Sequence, residues 1–319
     1  MRFFDSGAVD AALAYPALVD ILQVAFKTGA IAPPRHHHAI VLAGRPEATL
    51  LLMPAWQASA PGAQTAGRYL GVKSVSVFPD NAARGKPAVL GTYLLASAET
   101  GETLAIMDAT RLTAWRTAAA SALASRYLSR PDASRMLMVG AGALAPFLVR
   151  AHASVRPIRQ VTVWNRSRPR GEALCEVLAG FGIAATISDD LAGAVAAADV
   201  VSTATLSAEP LIRGEWLAPG CHLDCVGAYR PGMRETDDAV VRRARIYVDT
   251  RAGALSEAGD ILQPLQAGVI GEDAIQGDLH DLARGVVAGR GAGAEITMFK
   301  SVGASIEDLA AAIAVYEKA

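Results

Sequence analysis

Apolar residues recur at helical spacing near the start of the chain. Leu13, Ala17, Leu18, Ile21, Leu22, Ala25 and Phe26 share one face, and this predicts a helix over 10–28. Pro33 and Pro34 end it. Shorter apolar runs follow and read as strands over 36–42, 49–53 and 69–77, with a turn at Gly85 and Pro87. Segments 89–98 and 102–108 form a predicted hairpin about Thr100-Gly101. The texture then changes. Residues 112–128 are Ala-rich with helical periodicity, and Arg130-Pro131 stops them. Beyond this point strand-like runs at 135–139, 160–164, 184–187, 200–204, 222–226 and 245–249 alternate with helical ones. Such alternation predicts a parallel sheet with helices on both faces. The chain finishes with a strand-like run at 296–303 and an amphipathic helix over 306–318, expected to return to the first domain.

The fold class expected is therefore α/β: a Rossmann-type doubly wound parallel sheet plus a strand-rich α+β domain. The expected boundaries are 1–115 with 304–319 for the strand-rich domain, and 116–303 for the Rossmann domain.

Composition narrows the partners. The 319 residues are 52% apolar and 19% charged, with 30 basic against 31 acidic side chains and a mean hydropathy of +0.27. This is too apolar for a disordered chain, and it has no basic excess to neutralise nucleic-acid phosphates. No apolar run reaches the roughly 18 residues a membrane span needs. Asp5, Asp10 and Asp20 break the layout of a signal peptide. Three cysteines, Cys175, Cys221 and Cys225, suggest reduced thiols and a cytoplasmic location. The Cys221/Cys225 pair lacks a second pair at zinc spacing, so core cysteines are expected and no metal site.

The clearest candidate chemistry lies after the strand at 135–139. Gly140-Ala141-Gly142-Ala143-Leu144-Ala145 follows it and opens a helical pattern. This is the Gly-x-Gly-x-x-Ala form of the dinucleotide fingerprint. Gly140 permits the tight turn, Gly142 lets the backbone approach a pyrophosphate, and Ala145 permits close helix–strand packing. Without a ligand the same residues make a plain strand-to-helix turn. The end of the next strand bears on which dinucleotide binds. An acid there would hold the ribose hydroxyls of NAD. Trp164-Asn165-Arg166-Ser167-Arg168 stands there instead, so Asn165, Arg166 and Arg168 favour NADP(H) over NAD(H), because a 2′-phosphate wants guanidinium donors. The alternative is that one or both arginines are solvated.

In the strand-rich domain, Lys73 interrupts an apolar strand. It must snorkel, pair with an anion or lose its proton. Arg35 precedes His36-His37-His38, three histidines expected as partly buried rings rather than metal ligands. Asp108 reads either as support for Lys73 or Arg116, or as a turn residue after the hairpin.

Several segments together resemble the ornithine cyclodeaminase/mu-crystallin family. They are Arg35, Leu52-Met53-Pro54, the stretch from Gly71 through Lys73 and Asn81 to Gly85, the stretch from Met107 through Arg116 to Ser121, the Gly140 loop, Val226 to Glu235, and Phe299 to Gly303. The resemblance runs over nearly the whole chain. It implies a homodimer whose strand-rich domain forms the interface and the substrate pocket, and a Rossmann domain that carries the nicotinamide cofactor. By position, Arg35 would pair with a substrate carboxylate and Lys73 would hydrogen-bond the substrate. Arg116 and Thr117 would lie near the cofactor, Thr205 and Val226 would line it, and Ser301 and Val302 would close the nicotinamide–substrate junction.

One departure from the family pattern is informative. Ornithine cyclodeaminases resemble Gly-Gly-Asp-x-Pro-Gly-Lys where this chain has Gly227-Ala228-Tyr229-Arg230-Pro231-Gly232-Met233. Tyr229 has no carboxylate for deamination. The form resembles the ketimine reductases and Δ1-pyrroline-2-carboxylate reductases instead. The expected reaction is NADPH-dependent reduction of a cyclic imine carboxylate, with Arg35 holding the carboxylate and Lys73, or a water it holds, supplying a proton. Lys73 acting only as an anchor is the other reading of that residue. A cyclodeaminase, an alanine dehydrogenase-like enzyme and a non-catalytic NADPH-binding protein are the alternatives on the same scaffold.

Overall fold

The structure is a computed structural model that describes residues 1–318, with the backbone only at residue 82. The chain divides into two compact units, Met1–Thr117 with Ala304–Ala319, and Ala118–Gly303. The first contains β1 (Arg2–Phe4), α1 (Ser6–Ala12), α2 (Tyr15–Thr28), β2 (Ala30–Ile31), β3 (His36–Ile40), β4 (Ala48–Ala58), β5 (Ala66–Val77), β6 (Val89–Ser97) and β7 (Thr103–Asp108). Helix α3 (Ala109–Leu128) carries the chain into the second unit. That unit contains β8 (Arg135–Val139), α4 (Ala145–Val155), β9 (Gln160–Trp164), α5 (Arg168–Ala179), β10 (Ala185–Ile187), α6 (Leu191–Ala197), β11 (Val200–Thr203), β12 (His222–Cys225), α7 (Asp238–Arg243) and β13 (Arg245–Val248). It continues with α8 (Arg251–Glu257), α9 (Gly259–Gln266), β14 (Ile275–Asp278), α10 (Leu279–Arg284) and β15 (Thr297–Lys300), after which α11 (Ser305–Lys318) returns to the first unit.

The expected single helix over 10–28 is two. Asp5 caps α1 by accepting from Ala8 N at 2.8 Å, and the backbone turns extended at Leu13 and Ala14. Pro16 lacks the N–H that a continuous helix would need, but suits the first turn of a new one. The buried residues Leu18, Val19, Leu22 and Phe26 then form the inner face of α2. No single helix among the described residues is long and apolar enough to cross a membrane; α1 and α2 would qualify only together, and they are bent by 84° at the break.

The first sheet has the order β1-β7-β6-β5-β4-β2, with β3 also paired to β4. All its pairings are antiparallel except β1 with β7. Register places Lys73 between Met53 on β4 and Tyr93 on β6, all three buried on one face of the sheet. Helix α11 packs on β4, β5 and β6 and on α2. It buries Ile306, Leu309, Ala312 and Val315, and also Glu307 and Asp308. His36, His37 and His38 are exposed on β3, which corrects the expectation of partly buried rings: β3 pairs on one side only, with β4.

The second sheet is wholly parallel, in the order β10-β9-β8-β11-β12-β15-β13-β14. The chain winds outward from β8 to β10, then returns to β11 on the other side, so the direction of winding reverses between β8 and β11. In such sheets the crevice at the carboxyl ends beside this reversal is where ligands bind. Cys221 and Cys225 lie in the core, and burial pushes the Cys221 thiol up to about 12. The unit boundary falls within α3, so Arg116 and Thr117 belong to the strand-rich unit and not, as expected, to the Rossmann unit.

Candidate functional site

At the carboxyl end of β8, Gly140 has φ +105°, a region open to glycine, and a Cβ there would stand 2.7 Å from the Ala204 carbonyl oxygen. Gly142 is exposed, with open space where a side chain would be. The N-terminus of α4 has no side-chain cap, and Pro146 sits in its first turn. A glycine cradle leading to an uncapped helix N-terminus fits a pyrophosphate, whose charge meets the positive end of the helix. Ala143 and Leu144 complete this loop. Asn165, just past β9, accepts from Ala141 N at 3.2 Å through Oδ1, so it braces the loop.

The arginines after β9 differ from each other. Arg168 donates to Glu172 Oε1 at 2.9 Å and also pairs with Asp189. Both pairs are solvent-exposed, so a phosphate at Arg168 would have to compete with two carboxylates. Arg166 is exposed on the same loop.

A buried carboxylate ties the next two strand ends together. Glu235 Oε1 accepts from Thr205 N and Thr205 Oγ1, both at 2.8 Å, and Oε2 accepts from Gly227 N at 2.8 Å and Ala228 N at 3.3 Å. Thr205 follows β11 and Gly227 follows β12, so one side chain sets both loops. Any side chain at Gly227 would run into the Thr205 backbone and the Glu235 carboxylate. Asp260 Oδ1 accepts from Glu235 N at 2.8 Å and Thr236 N at 2.9 Å, and Asp260 Oδ2 pairs with Lys300 Nζ at 3.1 Å. Burial raises the Glu235 pKa, Lys300 works against that, and Asp260 adds to it. Burial opposes the Lys300 charge, but Asp260 and Glu235 outweigh it. Val226 is buried in the core beside this network. Ser301 and Val302 are gathered by another acid: Asp249 Oδ2 accepts from Ser301 Oγ at 3.2 Å, Val302 N at 2.8 Å and Gly303 N at 2.6 Å.

The strand-rich unit builds a second cluster. Lys73 is only 2% exposed. Its Nζ lies 2.6 Å from Asp308 Oδ2 and 3.5 Å from Thr113 Oγ1. Arg116 donates from Nε to Asp308 Oδ1 at 2.8 Å and from Nη1 to Glu307 Oε2 at 2.6 Å. Burial lowers the Lys73 pKa, the Arg116 charge lowers it further, and Asp308 works against both, leaving it at about 8; Arg35 is near enough to add to the lowering. Burial opposes ionisation of Asp308, yet Arg116 and Lys73 hold its carboxyl below the usual range. Lys73 and Arg116 thus share the Asp308 carboxylate, and the Arg35 charge is felt at Lys73. Thr117, the next residue of α3, is buried.

Asp108 does not join them. Its Oδ1 accepts from Arg111 N at 2.9 Å and starts α3, so the acid beside Lys73 is Asp308. Sequence reasoning missed Asp308 because acids in a first helical turn usually face water. The available signal was that α11 is apolar almost all round (Ile306, Leu309, Ala310, Ala311, Ala312, Ile313), so charges within it must be buried and paired. It also gave no role to Glu235, Asp249, Asp260 or Lys300. Among the described residues no group of three or more metal-ligating side chains occurs.

The parallel sheet, its glycine loop and the separate strand-rich unit define a Rossmann-type α/β protein with a dinucleotide fingerprint. The chain belongs to the ornithine cyclodeaminase/mu-crystallin family, whose model matches residues 14–319. A Δ1-pyrroline-2-carboxylate reductase of Paracoccus denitrificans is 39% identical, over 84% of this chain and 83% of its own length. The solved Δ1-pyrroline-2-carboxylate reductase of Thermococcus litoralis, in complex with NADH and L-proline, superposes with a TM-score of 0.91 at 32% identity, covering 100% of this chain and 97% of that one. The iminosuccinate reductase of Paracoccus denitrificans in complex with NAD+ gives a TM-score of 0.89 at 30% identity, covering 100% and 96%.

Proposed function

We propose that this protein reduces a cyclic imine carboxylate, Δ1-pyrroline-2-carboxylate or Δ1-piperideine-2-carboxylate, to L-proline or L-pipecolate. The observation that carries this reading is a buried lysine whose Nζ lies 2.6 Å from a carboxylate that it shares with Arg116. The likeness to two imine reductases supports it.

When bound, a reduced nicotinamide dinucleotide supplies the hydride. The Gly140–Leu144 loop and the α4 N-terminus would hold its pyrophosphate, with Asn165 bracing that loop and Thr205, Val226 and Ser301 along the neighbouring strand ends. Arg166 and the lack of an acid at the end of β9 favour NADP(H) over NAD(H); with Arg168 paired to Glu172 and Asp189, this preference rests on Arg166. Arg35 would take the substrate carboxylate in a planar, two-pronged pair, which fixes the C=N bond for attack; Val302 would line the substrate. A protonated imine accepts hydride more readily, and Lys73 Nζ can give that proton because its pKa lies near neutrality. Arg116, tied to Glu307 and Asp308, shapes the cluster and lowers the Lys73 pKa.

The strand-rich unit exposes Val41, Val89 and Leu90, apolar positions that support a homodimer through this unit. The free cysteines Cys175, Cys221 and Cys225 suit a reducing compartment such as the cytoplasm.

A substrate panel tests the reading: five- and six-membered cyclic imine carboxylates, pyruvate with ammonia, and ornithine, each followed by loss of NADPH absorbance and by ammonia release. Consumption of NADPH with a cyclic imine is expected. Ammonia from ornithine without cofactor turnover, or NADPH consumption only with pyruvate and ammonia, would replace it with another reaction.

A further inference from the structure

The helix that closes the chain brings a carboxylate against Lys73, and this carboxylate is shared. Asp308 gives Oδ2 to Lys73 Nζ and Oδ1 to Arg116 Nε, and all three side chains are buried. Arg116 is fixed in turn by Glu307. We infer that Asp308 is a positioning residue for the reaction, which aims the Lys73 ammonium and supplies the negative charge that keeps Nζ protonated. The inference rests on the reductase reading, in which Lys73 hands a proton to the imine nitrogen.

The groups around Lys73 are Thr113 and Arg116 on α3, Tyr93 on β6 and Asp308 on α11; the Arg35 charge reaches it from ahead of β3, and Glu307 on α11 holds Arg116. Burial and the two arginines all disfavour a charged lysine; Asp308 favours it. Tyr93 stays a phenol, its pKa raised by burial and then by the Asp308 charge. An oxygen pair split between two cations cannot swing freely, because turning the carboxylate toward one cation takes it from the other. The place of Nζ is therefore tied to α11 through Asp308.

In the reaction the N–H bond at Lys73 Nζ breaks as one forms at the imine nitrogen. A bound nicotinamide would supply the hydride that the ring carbon takes up, and the product is a secondary amine. Lys73 then regains its proton from water. With Asp308 neutral, Lys73 would lose its proton at lower pH, and fewer molecules would be competent at neutrality.

The test uses the full chain and two variants, Asp308→Asn and Asp308→Glu. The titration midpoint of Lys73 is followed by NMR of side-chain-labelled lysine, and kcat, KM and the NADPH dissociation constant are measured across pH. For Asp308→Asn the Lys73 midpoint and the alkaline limb of kcat/KM should move together to lower pH by about one unit or more. The same variant should lose at least about tenfold in kcat with NADPH affinity unchanged. Asp308→Glu should keep the alkaline limb near that of the wild type while kcat falls, because the charge remains and its position changes. An unmoved Lys73 midpoint in Asp308→Asn overturns the inference. If Asp308→Asn does not fold, Asp308→Glu decides, and wild-type kcat in that variant overturns the positioning role. If the wild-type protein reduces no imine, the reductase reading falls, and the NMR midpoint alone still decides whether Asp308 holds the Lys73 proton.

Discussion

Replacing Glu235 with Gln perturbs the second unit at the point where two strand ends meet. The native carboxylate accepts four hydrogen bonds, two from Thr205 and one each from Gly227 and Ala228. An amide keeps one acceptor oxygen and turns the other into a donor, so one pair of N–H or O–H groups is left facing N–H. These groups are buried, and each unpartnered one costs about 1–3 kcal/mol. The lost carboxylate leaves Asp260 and Lys300 still paired with each other, so no lone buried charge is created. The expected destabilisation is therefore about 2–4 kcal/mol, from two lost partners with some relaxation. Urea denaturation of wild type and variant measures it. Hydrogen exchange at the Gly227 and Ala228 amides should speed up, and NADPH affinity should fall, because these loops stand at the carboxyl ends of β11 and β12. A change below about 0.5 kcal/mol, with unchanged exchange at both amides, would mean that Glu235 does not act as an ionised acceptor of four donors.

Lys73→Ala should lower turnover at least about a hundredfold while NADPH binding stays intact, and wild-type turnover should decline as pH rises through about 8; full activity in the variant removes Lys73 from the mechanism. Arg166→Asp should shift the NADPH/NADH preference toward NADH, and an unchanged ratio would show that Arg166 does not read the 2′-phosphate. His222 is buried and held neutral, its pKa lowered from 6.5 to about 3 by burial. The unfolded chain takes up a proton that the folded one refuses, so stability drops as pH falls below about 6.5, by about 2 kcal/mol at pH 5. His222→Gln should flatten that part of the stability curve, and an equally steep acid loss would exclude His222 as its source.

The parallel sheet was legible in the sequence because its strands are short apolar runs separated by helical ones, and two of them, β8 and β9, have the bounds that the pattern implies. The glycine loop was legible because backbone geometry demands glycine at Gly140 whatever else surrounds it. Elements with little pattern of their own were not. β1 and β2 are three and two residues long and exist through their partners β7 and β4. The helix break at Leu13–Ala14 lies inside a continuous apolar stripe, where spacing alone sees one helix. Within the site, Arg35, Lys73 and Arg116 stood out as cations in apolar or motif-bearing stretches. Their counter-ions did not, since Asp308 reaches Lys73 from the far end of the chain and only the fold brings the two together. Arg168 shows the converse: a cation in the expected place whose exposed partners, Glu172 one helical turn away and Asp189 on the far side of β10, the pattern did not reveal.

The measurement that bears most directly on the proposed function is the fate of the transferred hydrogen. NADPH carrying deuterium at both hydrogens of the nicotinamide C4 position is incubated with the protein and Δ1-pyrroline-2-carboxylate, and the amino acid formed is weighed by mass spectrometry. The account predicts L-proline with a single deuterium on the carbon that bore the imine, formed in step with NADPH oxidation, and greatly slowed in Lys73→Ala. Proline without deuterium, or NADPH left unconsumed beside intact imine, would contradict it.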